Sequence, residues 1–475
     1  MHRWVMSAII AFLVLVVVAL IIAFRPIRAL KAASGLAAKD ICSATFVSGI
    51  DPDATLNELV RPMLGNFVTR FVHYHVDYAG GNVTASFAGI IRSKAGFVPG
   101  YGCRLEYPDN LPLPPARTPA SSPIPDVFAL QGPVAPPDPL IAAALDRLFT
   151  ESPNQPVKDV KAVVVVRDGS VIAERYAPGY GIETPLLGYS VAKSFTNALL
   201  GILVREGRLR VNQPVGATEW AHPGDSRSSI TIEDLIRMES GLDASETGSG
   251  FDPVSQMELT QGDMAGFAAR RPLKWPHGGT WEYTSANTLI LDRLLGYTVG
   301  GGAAGMRDFA ERELFAPMHM AKVTMEFDGR GVFVGSSYVY APARSFARFG
   351  ELYLNDGIAP DGQRILPSGW VAWSRRSTFG APYGAGFWTN EGATPYPTWR
   401  VAHGVPKNSF YASGILGQRI YIFPSQNLVI ARFGYSRPPD FGMHDDVVFI
   451  DTVLRALEGG TQSSSIGVRR TMNSK

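Results

Sequence analysis

Ser190 and Lys193 are the residues whose types and spacing point most directly to chemistry. They open the run Ser190-Val191-Ala192-Lys193-Ser194-Phe195, and Thr196 to Glu206 continues it with apolar residues at helical intervals. Residues three apart on a helix share a face, so the Lys193 amine stands one turn from the Ser190 hydroxyl. A hydroxyl becomes a competent nucleophile when a neighbouring base takes its proton, and a lysine is such a base when burial or a cation lowers its pKa. The N-terminus of the helix would favour the alkoxide. The same spacing also arises from a capping serine and a surface lysine, but here the pair occurs once, at the entrance to an apolar helix.

A second stretch, Pro276-His277-Gly278-Gly279-Thr280-Trp281-Glu282-Tyr283-Thr284-Ser285-Ala286-Asn287-Thr288, leads into Leu289-Ile290-Leu291. Its Gly-rich turn delivers Tyr283 to a loop before a helix. Beside a Ser-Lys pair, Tyr283 can pass a proton to a leaving group, and Ser285 can bond substrate or Lys193.

The elements that must hold these residues come in two hairpins and a helical middle. Lys161 to Arg167 and Ser170 to Arg175 flank Asp168-Gly169, a strong turn signal, and Leu140 to Phe149 before them has helical spacing. Arg419 to Phe423 and Leu428 to Phe433 flank Pro424-Ser425-Gln426-Asn427, and Val447 to Leu457 closes as a helix. Hairpins at both ends with helices between predict a mixed α/β (α+β) fold, an antiparallel sheet assembled from the two termini and flanked by helices with a mostly helical insertion.

Over Leu140 to Leu457 the chain resembles the serine β-lactamase-related hydrolases (class C β-lactamases, D,D-peptidases and esterases), most closely the 6-aminohexanoate-dimer hydrolase branch. Besides Ser190, Lys193 and Tyr283, the resemblance is carried by Thr231-Ile232-Glu233-Asp234-Leu235 with Met238-Glu239-Ser240-Gly241-Leu242. Gly335-Ser336-Ser337 with Arg344 and Ala347-Arg348-Phe349-Gly350, and Tyr411-Ala412-Ser413-Gly414-Ile415-Leu416-Gly417-Gln418, carry the rest. It implies Ser190 as acylated nucleophile, Lys193 as base and Tyr283 as proton donor. Ser285 stands where many members have Asn, and Gly414-Ile415 lies on the closing strand, with the Ser190 and Ile415 N–H groups as oxyanion hole. Two positions depart from the pattern. Ala412 stands where β-lactamases and peptidases carry a cation, and Phe251 stands near where amide-cleaving relatives present a tyrosine hydroxyl. Arg419 is a weak substitute for that cation. The departures favour uncharged ester or amide substrates over β-lactams and D-Ala-D-Ala peptides.

The rest of the chain frames this domain, read as residues 140–458. With 475 residues, 46% hydrophobic, the chain exceeds one ordinary core, and a formal charge of +2 gives no field to attract nucleic acid. Trp4 to Phe24 carries no charge and as a helix would span roughly 31 Å, so residues 1–24 are read as a single-pass transmembrane anchor. Arg25, Arg28 and Lys31 would keep the following chain in the cytosol. The lone pair Cys42 and Cys103 argues for an oxidising compartment, and the domain is placed outside with one disulfide. Residues 25–107 are read as a small β-containing module. In it His73, His75 and Asp77 share one strand face, taken as solvated rather than metal-binding. Residues 108–139 form a Pro-rich connector and 459–475 a disordered tail. No metal, cofactor or nucleic acid is expected, and no protein partner is specified. Other readings of the same residues are a D,D-peptidase or β-lactamase, a membrane-tethered binding protein without activity, and an α/β-hydrolase with Gly188-Tyr189-Ser190-Val191-Ala192 as elbow and His403 or His444 as base.

Overall fold

The computed structural model describes Met6 and residues 26–116, 132–392 and 394–472. At its centre β5 (Val160–Arg167) is joined to β6 (Ser170–Tyr176) by Asp168-Gly169, both at positive φ (50° and 75°), as a tight hairpin requires. The second hairpin, β12 (Gln418–Phe423) and β13 (Leu428–Gly434), zips onto β5 antiparallel, from Leu428 opposite Arg167 to Phe433 opposite Ala162. With β11 (Phe410–Gly414) and the two-residue β10 (Trp388–Thr389), the six-stranded order is β10-β11-β12-β13-β5-β6. The sheet is built from the two ends of its domain, as expected.

Both faces of that sheet are covered, which is why Ala162 to Val166 of β5 form an unbroken apolar run. Val163 and Val165 pack toward α2 (Pro139–Phe149) and α7 (Met443–Met472), while Ala162, Val164 and Val166 pack toward α3 (Ala192–Arg205) and α6 (Ala343–Leu354). The closing helix continues to Met472, beyond the Leu457 end read from apolar spacing and through the residues read as a tail. The insertion is mainly helical, with α4 (Pro253–Thr260) and α5 (Ser285–Val299) beside the site. It also holds a three-stranded sheet that the sequence did not signal, β7 (Leu186–Leu187), β9 (Val339–Ala341) and β8 (Thr324–Met325), paired in that order.

The segment read as a small β module is half helical. α1 (Pro26–Ser43) packs on a four-stranded meander of β1 (Val72–Asp77), β2 (Asn82–Phe87), β3 (Ile91–Val98) and β4 (Gly102–Leu105). A disulfide joins Cys42 to Cys103. His73 and His75 are exposed, and Asp77 accepts bonds from Gly80 N and Asn82 Nδ2. The described ends of the Pro-rich segment are held by the main domain, through Leu111 N to Gly329 O (2.7 Å) and Val134 N to Glu174 Oε1 (2.9 Å). Among the described residues no helix is long and apolar enough to cross a membrane, and the apolar stretch 4–24, Met6 apart, lies outside them.

The bridge closes a 61-residue separation. In the chain-entropy model a loop of this size contributes about 4 kcal/mol. Replacing both cysteines with serine should lower the unfolding free energy by about that amount in denaturant titration, and mass spectrometry of the native protein should find no free thiol.

Candidate active site

Ser190 lies in a single tight turn, Tyr189–Val191, that runs directly into α3. The turn is fixed from behind by the Gly188 N–H, which donates to Val339 O of β9 at 2.9 Å. Tyr189 is held at φ 45°, a left-handed conformation that a bulky residue adopts only when its surroundings enforce it. Ser190 itself stays half-buried, while its neighbours Tyr189 and Val191 are buried.

One helical turn on, Lys193 is 2% exposed, and its Nζ has three oxygen partners: Ser190 Oγ at 3.0 Å, Ser285 Oγ at 3.0 Å and Ser336 O at 2.9 Å. The three come from the Ser190 turn, the start of α5 and the loop between β8 and β9. Desolvation pulls the Lys193 pKa below its ordinary 10.5, against the opposing charges of Glu246, Glu258 and Asp292. Glu246 Oε2 accepts the Ser285 N–H at 2.6 Å, and Glu258 Oε1 accepts the Ser336 and Ser337 hydroxyls at 2.8 and 2.7 Å. Buried Asp292 takes Thr196 Oγ1 at 2.7 Å and the Gly335 N–H at 2.9 Å. Burial pushes its carboxyl well above the carboxylate range.

α5 starts where it does because Thr284 caps it, accepting from Ala286 N at 3.2 Å while donating to Ala244 O at 2.6 Å. Tyr283 therefore stands just outside the helix, with its ring 4.9 Å from Lys193 Nζ. Burial holds its phenol well above 10, with the nearby Glu246 charge acting in the same direction. Its ring stacks on Trp388 (5.6 Å between centroids) and meets Tyr383 edge-on (5.5 Å), which fixes its orientation.

The closing strand touches the Ser190 turn through Gly414. A Cβ at this position would stand 2.4 Å from Gly188 O and 3.0 Å from Ser190 N, so glycine is what lets β11 approach and sets Ile415 beside the turn. The Ile415 side chain is 42% exposed, consistent with a backbone role. Phe251 is 55% exposed on the loop ahead of α4 and takes no part in the bonded set. Arg419 points away: it is buried, with its guanidinium on Asp446 Oδ2 (2.7 Å) and Phe441 O (2.9 Å). An α/β-hydrolase elbow needs a buried parallel strand directly before the serine; Gly181-Ile182-Glu183-Thr184-Pro185 offers none, and the two-residue β7 that precedes Ser190 lies in an antiparallel sheet. His403 and His444 are exposed and lie against Trp399.

Glu246, Glu258, Asp292, Tyr383 and Trp388 were not singled out from sequence. Asp292 carried a signal, a lone acid within the apolar face Leu289-Ile290-Leu291-Asp292. Glu246, in a Ser/Gly-rich loop, carried none. Gly414→Ala should cut turnover by about 100-fold, because the added methyl must displace the turn that carries Ser190. Steady-state kinetics alongside an unchanged circular dichroism spectrum would check it.

Comparison with known proteins agrees with this architecture. A family model described as beta-lactamase matches residues 145–451. The 6-aminohexanoate-dimer hydrolase of Paenarthrobacter ureafaciens is 27% identical over 331 residues, 65% of this chain and 81% of that protein. Two solved structures share the fold. A Bacillus anthracis protein, provisionally assigned as a 6-aminohexanoate-dimer hydrolase, has TM-score 0.53 at 19% identity, over 64% of this chain and 80% of that one. A penicillin-binding protein homologue from Caulobacter crescentus has TM-score 0.51 at 16% identity, over 68% and 98%. With the family model covering most of the chain, from just inside α2 to the closing helix, this protein belongs to the beta-lactamase family of serine hydrolases.

Proposed function

We propose that this chain hydrolyses ester or amide bonds of small, uncharged substrates through an acyl-enzyme on Ser190. The observation that carries the reading is the desolvated Lys193 amine 3.0 Å from the Ser190 hydroxyl, with the Tyr283 ring 4.9 Å from that amine. Lys193 takes the Ser190 proton as Oγ bonds to the carbonyl carbon, and the carbonyl electron pair moves onto oxygen, facing the Ser190 and Ile415 N–H groups. Collapse re-forms the carbonyl and breaks the bond to the leaving group, which receives its proton from Tyr283. Tyr283 regains a proton from the Lys193 ammonium, and water then releases the acyl group by the same steps in reverse. Ser285 holds Lys193 in line through its 3.0 Å bond.

The charges around the site support the substrate class. Arg419 is committed to Asp446 and offers no cation to a substrate carboxylate, and Glu246 adds a negative charge beside Lys193. A membrane tether through residues 4–24, with the domain outside the cytosol, is part of the proposal. It is supported by the uncharged length of that stretch and by the Cys42–Cys103 disulfide.

Ser190→Ala and Lys193→Ala should each abolish most turnover of a short p-nitrophenyl ester, without adding in the double variant, whereas Tyr283→Phe should cost about 10²- to 10⁴-fold. The pH profile follows from the Lys193 shift. The reactive form is the neutral amine, so kcat/KM should climb as pH rises through a value below 10.5, while Tyr283, held well above 10, keeps its proton. A flat profile over that range would exclude Lys193 as base. Among substrates, kcat/KM should rank the short ester first, an aminohexanoate-type linear amide second and a chromogenic cephalosporin last. Cephalosporin turnover above the ester's would overturn the substrate class.

A further inference from the structure

The N-terminal unit closed by Cys42 and Cys103 meets the surroundings of the active site first through a buried carboxylate, Glu326. Glu326, next to β8, is fully buried; it forms an ion pair with Lys39 of α1 and accepts bonds from Ser43 Oγ at 2.8 Å and Cys103 N at 2.7 Å. Gly102 makes room for it, since a Cβ there would lie 2.4 Å from Glu326 Oε1. The backbone of Glu326 belongs to the small sheet behind the nucleophile. Its N–H donates to Tyr338 O at 3.1 Å, and its C=O accepts from Val334 N at 2.9 Å. Between those two partners lies Ser336, whose carbonyl holds Lys193, and directly after Tyr338 comes Val339, whose carbonyl holds Gly188.

α1 makes two more approaches. The Tyr189 hydroxyl donates to Asp40 Oδ2 at 3.4 Å and lies 3.4 Å from Met63 Sδ, so the residue at φ 45° beside Ser190 is braced by the N-terminal unit. On the other side Gly35 abuts the Leu259 carbonyl, which also accepts from the Tyr107 hydroxyl at 2.9 Å. Leu259 follows Glu258, the carboxylate that fixes Ser336 and Ser337.

We propose that α1, locked by the Cys42–Cys103 bridge, is a built-in part of the catalytic apparatus: Lys39 and Asp40 are positioning residues that set Ser190 and Lys193 through Glu326 and Tyr189. The inference rests on Ser190 and Lys193 being the reacting pair. A brace of this kind acts on the geometry of attack and leaves substrate contacts alone, so its loss lowers kcat and the rate of Ser190 acylation while KM stays in place.

The experiment uses the full, disulfide-intact chain and reads kcat and KM on a short p-nitrophenyl ester, the rate of fluorophosphonate labelling, and thermal unfolding. Tyr189→Phe, Asp40→Ala and Lys39→Gln should each lower kcat and labelling by about 5- to 100-fold with KM within about twofold, and Asp40→Asn should recover most of the Asp40→Ala loss. Tyr189→Phe removes a single oxygen from a buried ring, so it remains informative where Lys39→Gln fails to fold. Labelling and kcat within about twofold of wild type in folded Tyr189→Phe and Asp40→Ala, with or without a lower melting temperature, would overturn the proposal. Ser190→Ala separates the two readings. If it still turns over ester, the assignment of the reacting pair fails, whereas an inert Ser190→Ala beside fully active brace variants defeats only this inference.

Discussion

The burial of the Lys193 amine is the constraint on which the rest of the site depends. An amine at 2% exposure is tolerable only if its hydrogens find acceptors, and the acceptors here come from three separate elements. As an ammonium it donates to Ser190, Ser285 and Ser336. As a neutral amine it has two hydrogens and one lone pair, enough to donate to Ser285 and the Ser336 carbonyl while accepting from the Ser190 hydroxyl. The same three positions satisfy both protonation states, so a proton can move between Ser190 and Lys193 with no bond left unmade. Everything around them, the Thr284 cap, the Gly188 anchor on β9 and the Glu258 clamp on Ser336, keeps those oxygens within about 3 Å.

The closing strand shows how a cation can be present in sequence and absent from a site. Arg419 and Arg432 stand opposite one another on β12 and β13, and both reach Asp446 of α7, at 2.7 and 3.2 Å, with the Tyr421 hydroxyl on the same carboxylate at 2.8 Å. Two buried guanidinium groups around one acid form a structural joint between sheet and helix. Releasing Arg419 to bind a substrate anion would strand Asp446 in a dry environment, so the arginine is not available as a recognition group.

What was legible in the sequence was local. The hairpin turns announce themselves by Asp168-Gly169 and by apolar runs on either side, the Ser190-Lys193 pair by its spacing, and Tyr283 by the Gly-rich turn before a capped helix. The β7, β8, β9 and β10 strands have two or three residues each, too short for any periodicity to register, yet they fix the nucleophile turn and the ring partner of Tyr283. Phe251 was chosen by loose analogy and lies outside the bonded set, while the loop acid that does bear on the site, Glu246, sits in Ala244-Ser245-Glu246-Thr247-Gly248 with nothing to distinguish it. α1 escaped notice because it is rich in Ala, Ser and Gly and buries two faces at once, one on its own meander and one on α4.

That double burial bears on where the catalytic unit begins. The part shared with the family starts at residue 145, and a chain cut there would keep Ser190, Lys193, Tyr283 and Ile415. It would also expose the face of α4 that meets Gly35 and strip Glu326 of Lys39, Ser43, the Cys103 N–H and the cover they provide. A carboxylate stripped of its cation and its donors either takes up a proton or draws in water, and both disturb the backbone pair that Glu326 makes with Tyr338 and Val334. The sheet that carries Ser336 and anchors Gly188 is only two or three residues wide per strand, so it has little else to hold its register. The packed unit around the Ser190 turn therefore begins at α1, and the disulfide fixes the end of that helix against the strand whose backbone completes the Glu326 cage.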